Sequence, residues 1–225
     1  MAIRDFLKLY AALLAIHLGA LYVDEPDRIL ILISKPLLLF SLLAYVIHKT
    51  HGLNIAGKGL FISGLFFALA GDVFLMIPDW VLPGMGAFLL CQISYAGFFT
   101  QNTHWSKSPE LLDYGFLAGL LTIAGFVISR MSLPAGWWYW VVSAYALALL
   151  VMVWIVFLRR HTHSGWAFQS VLFGAFLFLI SDSLLANHLF SSPTKFEKMA
   201  VMAFYGLGQL GIVFGSLKSQ KEVQL

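Results

Sequence analysis

AGWWYWVVSAYALALLVMVWIVFL, residues 135–158, decides the fold. The stretch carries no charge, and four aromatic residues, Trp137, Trp138, Tyr139 and Trp140, gather at one end. A helix that crosses a bilayer needs about 20 apolar residues. A membrane barrel would instead show segments of about 10 residues with alternating polarity. This run does not alternate, so it reads as a transmembrane helix. Similar runs fill the rest of the chain, and they place spans at about 5–22, 28–47, 58–77, 81–101, 113–130, 135–158, 165–189 and 197–217. The fifth is short and is broken by Thr122, Ser129 and three glycines.

Composition agrees with this reading. Of 225 residues, 60% are hydrophobic and 11% charged, and mean hydropathy is +0.85. A soluble domain carries about a quarter charged residues. Too little polar surface is available here for water, so the bilayer is the solvent and helices close the backbone hydrogen bonds. The expected fold is all-α: a polytopic membrane bundle of about eight transmembrane helices. Connections are short, so residues 1–225 read as a single membrane-embedded domain. Arg4 and Lys8 precede an apolar run, as in a signal peptide, but no small-residue cleavage site follows near Tyr22. That segment therefore reads as the first span. Cys91 lies mid-span and reads as a small apolar filler.

Charge sets the orientation. With eight spans both termini share one side, and that side holds Arg4, Lys8, Lys49, Lys58, Lys107, Arg159, Arg160, Lys218 and Lys221. The other holds Arg28, Arg130, Lys195 and Lys198. The bias predicts cytoplasmic termini, and with the short loops it suits a bacterial inner membrane. The net charge of +3 is spread along the chain, so no nucleic acid is expected as a partner. Trp80 and the run Trp137, Trp138, Tyr139, Trp140 fall at outer ends of spans, as an interfacial aromatic belt does.

Ionisable groups inside spans are costly and face the protein interior. Lys35 in span 2, Asp72 in span 3 and Asp182 in span 7 stand out on that ground. Gln92 and Tyr95 in span 4, and Tyr205 and Gln209 in span 8, add uncharged polar groups. Counted along their helices, all of these but Tyr95 share a layer roughly 8–18 Å below the outer boundary. A weak internal repeat points the same way. Aligning Asp72 with Asp182 also pairs Gly64 with Gly174, Phe66 with Phe176, Leu69 with Leu179 and Leu75 with Leu185. The following spans repeat aromatic-x-x-x-Gln, as Phe88 to Gln92 and Tyr205 to Gln209. A 4+4 parallel repeat of this kind puts the two carboxyls opposite each other, at the repeat interface.

Two close carboxyls offer a proton donor beside a base. A buried ion pair between Lys35 and one aspartate is the structural alternative. The histidines are His17, His48, His51, His104, His161, His163 and His188. Most fall in inner loops, and His188 lies six residues beyond Asp182. No HExxH, cysteine cluster or GxSxG occurs, so neither a zinc nor a serine-hydrolase site is expected. Ser181 and Ser183 read as helix-packing residues.

Several motifs carry a resemblance. Lys35-Pro36, Gly71-Asp72-Val73-Phe74-Leu75-Met76, Ser181-Asp182-Ser183-Leu184-Leu185 and Tyr205 with Gln209 resemble the YhhN-like lysoplasmalogenase family. The chain departs from that family at Gln92, where a histidine often stands in the F-x-x-x-H-x-x-Y pattern (Phe88, Gln92, Tyr95). The resemblance implies hydrolysis of the vinyl ether bond of a lysophospholipid, without a cofactor or metal. Asp72 and Asp182 would be the catalytic pair. Lys35, Gln92, Tyr95, Tyr205 and Gln209 would bind substrate. A small proton-coupled transporter is the alternative that uses the same acids, and a metal-dependent lipid amidase is a second.

Overall fold

The computed structural model describes residues 2–23, 28–101, 108–131, 133, 136–163, 165–189 and 194–223, the last four of these as backbone only. Lys107 and His104 fall outside the described residues, as does the side chain of Lys221. The described residues are helical throughout, without strands. The order is α1 Ile3–Tyr22, α2 Arg28–Thr50, α3 Lys58–Phe74, α4 Val81–Gln101, α5 Leu111–Arg130, α6 Trp138–Leu158, α7 Gly165–Leu189 and α8 Lys195–Val223, with a short 3-10 turn at Arg159–His161 after α6.

Seven of the eight helices are long and apolar enough to cross a bilayer. The eighth, α3, has 17 residues. Pro78 explains its early end, because the residue before a proline is pushed out of the helical region. Backbone bonds from Leu75 to Gly71, Met76 to Val73 and Ile77 to Phe74 then carry the chain on as turns. Asp79 reverses it with φ 65.

The bundle is a multi-pass membrane protein, and its surface says so. Ile33, Phe40, Leu90, Ile93, Ile123, Phe126, Leu147 and Phe173 all point outward and are exposed. A soluble monomer does not present apolar surface on this scale. The buried side is apolar too: Leu38, Leu39, Leu42, Leu65, Phe98, Phe99, Met152, Val153, Phe178 and Val213 pack together. Trp80, Trp137, Tyr139 and Trp140 are exposed, with Trp137 stacked on Trp138 at 4.7 Å. Cys91 is fully buried in the core.

The most extensive helix pairings are α7 with α8 and α3 with α4. These are the pairs that the internal repeat relates. Glycine permits both. A Cβ on Gly174 would lie 2.7 Å from the Gly208 carbonyl oxygen, and one on Gly215 would lie 2.6 Å from that of Ala167. Backbones therefore touch, as small residues allow in membranes. At the repeat-related Gly64, a Cβ would lie 2.5 Å from the Tyr95 ring. The fifth helix forms as expected. It is mostly exposed and is held to α6 by Phe116 stacked on Phe157 at 3.9 Å. At its start Asp113 accepts from Arg160 at 3.1 Å and pairs with His161 at 2.8 Å.

Candidate active site

The two intramembrane aspartates meet at one cavity of about 170 Å³. Its wall includes Lys35, Asp72, Asp182 and Tyr205 from the sequence-derived set. Asp72 and Asp182 are 2% and 4% exposed, so both carboxyls are almost wholly out of contact with solvent or lipid. Each has a different kind of partner. Lys35 Nζ lies 3.3 Å from Asp72 Oδ1. Asp182 has only neutral donors: Gln92 Nε2 donates to Oδ2 at 3.1 Å and the Tyr145 hydroxyl donates to the same oxygen at 2.5 Å.

This asymmetry sits on a repeat. Tyr145 precedes Asp182 by 37 residues, the interval that separates Lys35 from Asp72. Equivalent positions thus place a cation beside one carboxyl and a phenol beside the other. The repeat-related aromatics also meet, with the Phe88 and Tyr205 rings edge-on at 5.9 Å and 83°.

Gln92, Tyr95 and Gln209 are fully buried, and none of them is part of the cavity wall. They lie behind it. Tyr95 donates to Gln209 Oε1 at 2.7 Å, while Gln92 braces Asp182. Of the three, Gln92 alone contacts a carboxyl, and Tyr95 and Gln209 contact each other. Ser181 also lines the cavity but donates to the Val201 carbonyl at 2.9 Å, which clamps α7 to α8.

Besides Ser181, three polar wall residues were not among the sequence-derived site residues: His17, His188 and Lys198. His17 was recoverable, because it lies five residues before the end of α1, as deep as Asp72 lies in its span. Tyr145 was recoverable from the 110-residue repeat offset. Lys198 is exposed at the rim. Two buried polar atoms of the wall, His17 Nε2 and His188 Nδ1, have no hydrogen-bond partner among the described residues, while Asp72 Oδ2 and the Tyr205 hydroxyl make no well-formed bond and have only each other near. Buried polar groups are nearly always paired. A cluster of orphans around one cavity is the mark of a place built for a polar ligand or water. Among the described residues no three of His, Cys, Asp or Glu converge as a metal-holding group.

The chain has relatives of known name. Residues 30–216 match the YhhN family. Lysoplasmalogenase TMEM86B of Homo sapiens is 29% identical over 165 residues, which cover 70% of this chain and 63% of the relative. Lysoplasmalogenase TMEM86B of Sus scrofa is 30% identical over 71% of this chain and 64% of its own length. Lysoplasmalogenase TMEM86A of Bos taurus is 25% identical, with coverages of 72% and 66%. The matched part is thus just under two thirds of these relatives' length. No solved structure matches the chain.

Proposed function

The chain belongs to the YhhN family, and we propose that it is a lysoplasmalogenase, cleaving the vinyl ether of 1-alkenyl lysophospholipids to a fatty aldehyde and a glycerophosphodiester. The names of its relatives support the activity. The observation that carries it is the pair of unlike carboxyls at one cavity.

Vinyl ether cleavage starts with a proton delivered to the outer alkene carbon, which creates an oxocarbenium ion. It therefore needs an acid and an anion together. Asp182, surrounded by neutral donors, is suited to be the carboxylic acid. Both of its bonds arrive at Oδ2, which leaves Oδ1 for the proton. Asp72, paired with Lys35, is suited to be the carboxylate that faces the cation. Water adds to the cation, and the hemiacetal collapses to aldehyde and alcohol. Neither carboxyl needs to form a covalent bond. Lys35 is occupied by Asp72, so the lipid phosphate falls to Lys198 and His188 at the outer rim. Gln92 holds the acid in place from behind, with the Tyr95–Gln209 pair buried beside it, and Tyr205 reaches the ligand.

The transporter alternative needs a path through the bundle. Below the carboxyls, Cys91, Gln92, Tyr95, Phe98 and Phe99 are all packed to 1% exposure or less. That closed floor favours an enzyme pocket entered from one side. We place both termini on the cytoplasmic side of a bacterial-type inner membrane, on the strength of the charge bias. Reporter fusions at each terminus would contradict this if either reported an external position.

The test of the activity is aldehyde release from a detergent-dispersed 1-alkenyl lysolipid, with and without chelator. Asp72→Asn and Asp182→Asn should each lower turnover at least 100-fold, and chelator should leave the wild type unchanged. A folded wild type that releases no aldehyde would refute the reading. Loss of activity with chelator would show that the cleavage depends on a metal.

A further inference from the structure

The geometry points to His17 as a catalytic base at this cavity, taking a proton from the water that attacks the oxocarbenium ion and returning it to the departing glycerol oxygen. The inference rests on the vinyl ether reading above. It adds a residue that lies outside the segment matched to the family, residues 30–216.

Ser34 fixes the state of the histidine ring. Its hydroxyl oxygen lies 2.6 Å from the Leu30 carbonyl oxygen and 2.8 Å from His17 Nδ1. A carbonyl can only accept, so the single hydroxyl proton goes to Leu30. Ser34 Oγ must then accept from His17, and Nδ1 carries the ring proton. In the neutral ring this leaves Nε2 as a bare lone pair. That nitrogen is buried and has no partner among the described residues. His17 itself is 1% exposed, and it lines the cavity shared with Asp72 and Asp182.

A purely structural role uses only the other edge of the ring. The Nδ1 bond to Ser34 ties α1 to α2, and an amide would do the same. Burying a further ring nitrogen with nothing to meet it costs stability. The cost makes sense if Nε2 meets water once substrate is present. The tautomer is fixed by a second group, as in other histidine bases. Helix α1 is held firmly for the purpose, since Tyr10 donates to the Gly206 carbonyl at 2.9 Å.

With His17 the proton count closes. Asp182 gives its proton to the alkene carbon and becomes a carboxylate. Water adds to the oxocarbenium carbon and its proton passes to Nε2, giving a neutral hemiacetal and an imidazolium. In the collapse, the hemiacetal hydroxyl proton returns to Asp182. The carbon–oxygen bond to glycerol breaks as the glycerol oxygen takes the proton from Nε2. Both residues end as they began, and Asp72 remains ionised throughout.

The test is steady-state aldehyde release by His17→Asn and His17→Ala, with thermal stability in detergent measured in parallel. Asparagine can keep the bond to Ser34 but has no atom at the place of Nε2. We expect His17→Asn to lose at least 100-fold in kcat, with KM within threefold and the melting temperature unchanged. We expect added imidazole to restore at least tenfold of the His17→Ala loss, and pyrrole, which lacks the lone pair, to restore none. His17→Asn with more than a third of wild-type kcat overturns the proposal. So does a loss that appears in KM or stability, or that imidazole and pyrrole relieve equally. If His17→Ala does not fold, His17→Asn decides alone. A wild type without aldehyde release defeats the underlying activity, whereas active wild type, inert Asp182→Asn and active His17→Asn defeat this inference only.

Discussion

Lys35 and Tyr145 are the two residues that make similar carboxyls unlike. Removing one charge of a buried pair leaves the other uncompensated and costs about 3–5 kcal/mol. Lys35→Met should therefore lower stability sharply, and the double change Lys35→Met with Asp72→Asn should recover most of it. Neither variant should release aldehyde. Detergent melting and turnover, measured on wild type and both variants, separate the roles. A double variant that regained activity would show that the anion is dispensable. Tyr145→Phe removes one neutral donor from Asp182. A hydrogen bond to a charged group is worth about 1.5–3 kcal/mol, so the Asp182 carboxylate formed after proton transfer loses that support. Turnover should fall about 10–100-fold while the melting point moves little. An unchanged kcat would show that Tyr145 has no part in the reaction.

At the scale of helices, the contact of α7 with α8 depends on hydrogen atoms where other residues carry carbon. Gly174→Ala drives a methyl against the backbone of α8, 2.7 Å from both Gly208 O and Ile212 N. Overpacking of this kind costs about 1–3 kcal/mol. Asp182 sits on the same helix, so activity should fall with stability. Gly119→Ala, on α5, meets nothing within 4 Å and should be harmless. Melting curves of the two variants test the claim, and equal effects would refute it. The helices themselves were legible in the sequence, because long apolar runs have no other stable form in lipid. The four-span repeat was also legible, from Asp72, Asp182 and the glycines around them. What it did not reveal was the contact that each carboxyl makes across to a neighbouring helix pair. That depends on lateral packing: Gln92 crosses from α4 to Asp182 on α7, a contact that no spacing along one helix encodes. His17 was missed for a different reason. A lone histidine in an apolar first span gives no pattern, although its depth matches that of the aspartates.

At the scale of the whole molecule, the cavity is small for its proposed ligand. Pockets that enclose a drug-sized molecule measure about 300–1,000 Å³, against about 170 Å³ here. Glycerol and the enol ether fill that space, and most of the alkenyl tail must lie outside it. Leu21, Ile31, Met76 and Leu185 are among the apolar residues of the wall, and the outward faces of the helices are apolar as well. The tail can thus remain in the bilayer while the reacting carbons enter from the side. This sets what the protein accepts. Once the tail outgrows the apolar wall, further methylenes move from lipid to lipid and gain nothing, so kcat/KM should level off with chain length. A second acyl chain on the glycerol has no room beside Asp72 and Asp182, so an intact diradyl plasmalogen should be cleaved at least 100-fold more slowly than the lyso form. The experiment is aldehyde release in bilayers of fixed composition, across alkenyl lengths and with lyso and diradyl substrates side by side. Rates that climbed steadily with every added methylene would mean that the protein encloses the tail. Comparable rates for one chain and two would mean that the cavity opens much further than its present walls allow.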